Sequence, residues 1–190
     1  GLLEHTPAVP SALTDGLPDA AWLHAYTEAA RLAFADRAQF VADPDFVSAP
    51  GGDWRSMLDR AYLQQRAALI GPRSMGVASP GAPGSQRRAW APQTAQPEHG
   101  TSHISIVDGE GRAVAMTSTI EAIWGSRILA DGGTGLPGGY MLNNQLTDFT
   151  RPPTLGGKPV ANAPGPGKRP RSSMSPTIVF DKSGDVFMVT

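Results

Sequence analysis

The chain contains no cysteine, which excludes disulfides, thiolate zinc sites and thiol nucleophiles. Charged residues are scarce at 17%, and acids and bases nearly cancel to a formal net charge of -1. Such a balance offers no footprint for nucleic acid or an anionic membrane. No apolar run approaches the ~18–20 residues that span a bilayer. The opening "GLLEHTPAVPSALTDG" lacks the basic start and sustained apolar core of a signal peptide. The four histidines, His5, His24, His99 and His103, lack metal-ligand spacing, so no metal is expected. There is no phosphate-binding Gly-Lys-Ser/Thr loop. The glycines of 132–139 lack the strand-to-helix setting of a dinucleotide site. A Gly-x-Ser-x-Gly elbow is absent too.

What is abundant is glycine and proline, 22 and 18 in 190 residues, beside a hydrophobic share of 40%. That combination predicts a loop-rich domain with a real core. Three segments follow. Residues 1–70 read as helical. Asp19 sits at an N-cap position, and Trp22, Tyr26, Ala29, Ala33 and Phe40 recur on one predicted helix face. His24, Glu28, Arg31 and Arg37 fall mostly elsewhere, and Asp43-Pro44 should stop the helix. A second helical stretch begins near Asp53 or Asp59 and ends at Gly71-Pro72. Residues 71–100 are rich in Pro, Gly, Ser and Gln and read as a flexible linker. A run of that length without structure is normally functional or flexible.

Residues 101–190 read as strand-rich. "SHISIV" and "AVAMTST" flank "DGEG", a hairpin signal, with His103, Ser105 and Val107 on one face and Ile104 and Ile106 on the other. "SPTIVF" and "VFMVT" flank "DKSGD" as a second hairpin. The first hairpin carries Thr101, Ser102, Thr117, Ser118 and Thr119. The bland reading is the β-propensity of threonine. The chemical reading is a hydroxyl nucleophile, activated by its own amine once the Gly100–Thr101 bond is cut. Glycine before the threonine would let the hydroxyl approach the preceding carbonyl and admit a strained peptide. Residues 71–100 would then be the released tail.

The motifs "TSHISIVDGEGRAVAMTSTIE", "LNNQLTDF" and "KRPRSSMSPTI", in this order, closely resemble the γ-glutamyltranspeptidase (glutathione hydrolase) family of N-terminal-nucleophile hydrolases. "EAARLAFADRAQFVADPDFV" resembles the end of that family's large subunit. The resemblance covers nearly the whole chain. It implies an α+β fold, the four-layer αββα sandwich, present in part. It implies a γ-glutamyl transferase or glutathione hydrolase made as a precursor, with Gly100 and Thr101 as the processing site. Thr101 would be the nucleophile and first residue of the small subunit, and Thr119 would hydrogen-bond its hydroxyl. Gln145 and Asp148 would hold the donor's α-amino end, and Ser172 and Ser173 its α-carboxylate. Without the resemblance, the serines read as a turn before a strand.

Arg169 and Arg171 are expected to be solvated or used in packing. His103 is expected to be structural, because the N-terminal amine already serves as base. Glu121 stands where typical members carry Asn, a departure shared with the depolymerase-like and acylase-like branches. Near the donor head it would either strengthen ammonium binding or repel a carboxylate. The resemblance implies no cofactor. The partners implied are γ-glutamyl donors such as glutathione, amino-acid or water acceptors, and the remaining precursor segments. The compartment implied is periplasmic or secreted. The family's oxyanion-hole glycines and carboxylate-clamping arginine fall outside the sequence, so an internal portion of a longer precursor is expected. A glutaryl-type acylase, a poly-γ-glutamate depolymerase and a catalytically inert module are the rival readings.

Overall fold

Asp19 starts the longest element. Its carboxylate accepts the Trp22 N–H at 2.7 Å, which satisfies one orphan donor of α1 (Ala20–Phe40). The computed structural model describes residues 1–6, 15–84, 90–95, 100–135 and 137–190. His99 and parts of the expected linker, 85–89 and 96–99, lie outside the described residues. The helix stops at Phe40, three residues before Asp43-Pro44. The second helical stretch is divided. Asp53 caps a 3-10 turn, Trp54–Leu58, and Asp59 caps α2 (Arg60–Ala67).

The buried face of α1 differs from the predicted one. It consists of Ala25, Glu28, Ala29, Leu32, Asp36, Gln39 and Phe40. Tyr26 is 50% exposed, stacked on Trp22 with ring centroids 5.2 Å apart. The apolar period misplaced the stripe because three of the buried residues are polar, and each is matched by a partner. Glu28 accepts from Ser74 Oγ at 2.9 Å and the Met75 N–H at 2.7 Å. The Met75 N–H holds its carboxyl below the usual range, against the effect of burial. Asp36 accepts from Tyr62 Oη at 2.7 Å, Arg66 Nη2 at 3.2 Å and the Gly81 N–H at 2.6 Å. Gln39 donates to the Trp90 carbonyl, and the Gln93 N–H donates to the Ala38 carbonyl at 2.9 Å.

Residues 74–81 and 90–93 are therefore laid along α1 in the direction of the helix. The described parts of the expected linker are anchored, because buried carboxylates need donors and its backbone supplies them. Gly81 permits the contact: a Cβ there would lie 2.1 Å from Tyr62 Oη.

The chain divides into two units, 1–95 with 149–171, and 96–148 with 172–190. These boundaries differ from the three segments read from the sequence, because 149–171 returns to the first unit. There Ala91 forms a parallel bridge with Val160, and Asn162 Nδ2 donates to Gln93 Oε1 at 2.8 Å. The ribbon β5 (Thr154–Leu155) and β6 (Lys158–Pro159) lies in this stretch. Arg169 pairs with Asp43 at 2.7 Å and Asp45 at 2.5 Å. Arg171 donates its N–H to Asn162 Oδ1 at 3.0 Å and Nη1 to the Arg37 carbonyl at 3.0 Å. Arg169 is thus an exposed ion-pair partner, and Arg171 is half-buried and hydrogen-bonded within the unit. Trp90 packs on a small core of Ala42, Val47 and Ala161.

In the second unit, β1 (Ser102–Val107) pairs antiparallel with β2 (Ala113–Ser118). Two further strand pairs and a turn follow: β3 (Leu129–Ala130) with β4 (Tyr140–Met141), a 3-10 turn at Gln145–Asp148, and β7 (Ile178–Phe180) with β8 (Val186–Val189). Both predicted hairpins are present, and the mixture of helix and strand is α+β as expected.

Gly81→Ala is expected to destabilise the full-length protein by about 1–3 kcal/mol, the cost of forcing a methyl into filled space. Gly71→Ala, where the added Cβ would meet nothing within 4 Å, should leave stability unchanged or raised. Urea denaturation of both variants distinguishes the two.

Asp43 gives a pH signature. Hydrogen bonds from the Arg169 side chain and N–H hold its carboxyl well below the usual carboxylate range. A depressed folded pKa adds stability that is fully present above the unfolded value of about 3.9 and is lost progressively as pH falls from there through the folded pKa. The gap in thermal midpoint between the native protein and Asp43→Asn should be open near neutral pH and shrink below about pH 4. A gap that stays constant with pH would contradict this.

Candidate active site

The site begins with a turn. Asp108 Oδ1 accepts the N–H groups of Glu110 and Arg112, each at 2.9 Å, while its own N–H donates to the Arg112 carbonyl at 3.0 Å. These bonds set the pairing of β1 with β2, from Val107 opposite Ala113 to Ser102 opposite Ser118. Partners directly opposite share a face of the ribbon. His103 and Thr117 are one such pair. Thr101 and Thr119, one step beyond the last pair, continue their face. Ser102 and Ser118 belong to the other face, with Ile104 and Met116.

Both ring nitrogens of His103 meet hydroxyls: Nδ1 lies 2.7 Å from Thr117 Oγ1 and Nε2 3.0 Å from Ser105 Oγ. With both nitrogens engaged, the imidazole is a bracing group, as the structural reading of His103 expects.

Thr119 Oγ1 accepts the Glu121 N–H at 2.9 Å and faces the Gly100 carbonyl oxygen at 3.5 Å, the outer edge of a hydrogen bond. The resemblance implies a bond from Thr119 to the Thr101 hydroxyl. In this continuous chain, the contact of Thr119 is to the carbonyl just before Thr101. Gly100 itself is not required by crowding. A Cβ there would meet nothing within 4 Å apart from its chain neighbours, and its φ is outside the left-handed region.

Past Thr119 the backbone turns sharply, and Glu121 adopts φ 73°. That conformation costs a non-glycine residue about 1–3 kcal/mol and persists only where its surroundings enforce it. The Glu121 carboxylate accepts from Asn144 Nδ2, and from Thr147 Oγ1 at 3.2 Å. Asn144 Oδ1 accepts the Ala122 N–H at 3.0 Å. Asn144 and Thr147 were not singled out from the sequence. The signal present was a pair of asparagines opening a short turn, a setting in which Asn side chains bond nearby backbone.

A cleft of about 320 Å³ gathers seven of the eight residues proposed from the sequence: Thr101, Thr119, Glu121, Gln145, Asp148, Ser172 and Ser173; Gly100 is not part of its lining. Its volume is at the small end for small-molecule sites. His103, Thr117, Met174, Ser175 and Thr190 complete the lining. Glu121 and Asp148 are the charged groups of that lining, with no Lys or Arg among them. Ser172 Oγ accepts the Met174 N–H at 3.3 Å.

A threonine hydroxyl at the head of a strand, a second hydroxyl across the ribbon and two carboxylates in one small cleft define a candidate acyl-transfer site. Residues 2–190 match the family model described as gamma-glutamyltranspeptidase, and the chain belongs to that family. It is 38% identical over 170 residues to the glutathione hydrolase proenzyme of Escherichia coli (strain K12), covering 86% of this chain and 26% of that protein. It is 38% identical over 181 residues to the glutathione hydrolase proenzyme of Pseudomonas sp. (strain A14), covering 92% and 28%. The chain thus spans about a quarter of the length of these curated relatives. Among solved structures it is similar to gamma-glutamyltranspeptidase from Pseudomonas nitroreducens complexed with L-DON. That match has 39% identity, covers 46% of this chain and 45% of that one, and has a TM-score of 0.37.

Proposed function

We propose that this chain carries the junction and donor site of a γ-glutamyl transferase and glutathione hydrolase, made as a precursor that cuts itself between Gly100 and Thr101. The observation that supports this most is one cleft lined by Thr101, Thr119 and the five residues nominated for donor binding. In this reading residues 1–100 end the large subunit and residues 101–190 begin the small one. Processing starts with attack of Thr101 Oγ on the Gly100 carbonyl carbon. An ester forms there as the C–N bond breaks and the Thr101 nitrogen becomes a free amine. Water then hydrolyses the ester. The Thr119 hydroxyl, its lone pair occupied by the Glu121 N–H, has its proton free to polarise the Gly100 carbonyl.

The freed amine of Thr101 then serves as base. It takes the proton from Oγ–H as Oγ attacks the γ-amide carbonyl of the donor. The leaving amine departs with that proton, and the acyl group remains as an ester on Thr101. Water or the amine of an acceptor amino acid resolves the ester. Asp148, Glu121 and Gln145 receive the donor's α-amino end, and the hydroxyls of Ser172 and Ser173 its α-carboxylate. Two carboxylates with no cation in the lining favour a donor that brings an ammonium. A glutaryl donor, which lacks one, gains nothing from them, so the acylase reading is the less favoured. No metal or organic cofactor enters this scheme. The partners in this reading are glutathione-like donors, their acceptors and the other segments of the precursor. The compartment is periplasmic or secreted, as the family resemblance implies. No helix of the described residues is long and apolar enough to cross a membrane.

Self-processing is tested in the full-length precursor. The native sequence should yield two fragments, the second beginning "TSHISIV", and Thr101→Ala a single uncut chain. Cutting of Thr101→Ala at the same bond would assign the step to an external protease.

Donor recognition is tested by Asp148→Asn. The KM for a γ-glutamyl anilide should rise by roughly tenfold or more, the scale of a lost charged hydrogen bond. The KM for a glutaryl anilide should change little. Equal losses on both would make Asp148 a structural residue.

A further inference from the structure

Glu121 is half-buried, and both its backbone and its carboxylate are held by neighbours. Its backbone is in the left-handed region at φ 73°, with its N–H given to Thr119. Both bonds to its carboxylate fall on one oxygen, Oε2: one from Asn144 Nδ2 and one from Thr147 Oγ1 at 3.2 Å. Asn144 is itself fixed on both sides of Glu121. Its N–H donates to the Ile120 carbonyl at 3.2 Å, and its Oδ1 accepts the Ala122 N–H at 3.0 Å. Thr147 Oγ1 also lies 2.9 Å from the Asn144 carbonyl and 3.2 Å from Asn144 Nδ2. Among the described residues Oε1 has no hydrogen-bond partner, and Glu121 lines the cleft.

We propose that Asn144 and Thr147 are positioning residues for donor binding: they lock the Glu121 carboxylate through Oε2 and leave Oε1 to accept the donor's α-ammonium. The inference rests on the γ-glutamyl donor reading above and deepens it. The chemistry is specific. Asn144 and Thr147 are neutral donors, so they orient the carboxylate without neutralising it, and its full charge is kept for the ligand. A glutamate side chain left loose would have to be immobilised by the ligand itself, at a cost to affinity. An ammonium has three N–H donors, enough to engage Oε1 of Glu121 and the carboxylate of Asp148 together. A donor lacking the ammonium makes neither bond and is indifferent to the lock.

The test uses the full-length processed enzyme with a γ-glutamyl anilide and a glutaryl anilide. Thr147 is exposed, so Thr147→Val removes the hydroxyl with little risk to folding. Thr147→Val and Asn144→Ala should each raise the KM for the γ-glutamyl anilide, by roughly five- to tenfold. The kcat of Thr147→Val should stay within about twofold, the pattern of lost ground-state binding. The KM for the glutaryl anilide should not move, and Thr147→Ser should restore the native value. In a Glu121→Gln background, Thr147→Val should have little further effect, because the group it orients has lost its charge. Equal shifts on both anilides, no shift on either, or an undiminished effect in the Glu121→Gln background would overturn the positioning role. A native enzyme inert toward the γ-glutamyl anilide, or a Thr101→Ala enzyme as active as the native one, would instead show that the underlying donor reading has failed.

Discussion

The pairing register of β1 with β2 is the constraint on which the second unit depends. Side chains alternate with period two, so a slip of one residue would turn one strand's set to the opposite face. Thr117 and Thr119 would then leave the cleft, and Met116 and Ser118 would take their place. The bonds that prevent the slip are concentrated in five residues, Asp108 to Arg112, where one carboxylate caps two N–H groups and pairs with Arg112 Nε at 2.6 Å. From the end of β2 the order propagates through single bonds. Thr119 takes the N–H of Glu121, and Asn144 takes that of Ala122 and gives its own to Ile120. The turn carrying Gln145 and Asp148 is thereby joined to the strand that carries Thr119.

The first unit is organised differently. Its long helix buries Glu28, Asp36 and Gln39 beside Ala25, Ala29, Leu32 and Phe40. Buried carboxylates are tolerated only when donors surround them, and here most donors come from irregular chain: Ser74, Met75 and Gly81. The bonds therefore act in both directions. The helix orders a segment that has no regular structure of its own, and that segment satisfies charges the helix could not bury alone. A stretch that reads as unstructured by composition is, over its described residues, held by the helix polar groups.

Much of this was legible in the sequence, for identifiable reasons. The hairpins were visible because alternation and a glycine-bearing turn are local signals. Asp19 was visible as a cap because capping is decided within four residues. The residues that share the cleft were nominated through motifs, not through spacing: nothing local distinguishes Ser172 and Ser173 from an ordinary turn. The face of α1 was misplaced because periodicity counts apolar residues, while the true stripe is set by partners 26 to 51 residues away. Asn144 and Thr147 escaped notice for the same reason, since their partner is more than 20 residues upstream.

The backbone at Glu121 has a consequence for how this pocket can diversify. The left-handed region is reached at least cost by Gly, Asn and Asp, and at growing cost by long or branched side chains. Inherited change at position 121 is thus channelled by conformation before any ligand is consulted. A neutral Asn there would relax the turn and give up the charge in one substitution. Glu keeps the charge and retains the strain. Under the donor reading proposed above, the head groups that such a site can come to prefer are limited by one dihedral angle as much as by the chemistry of the cleft.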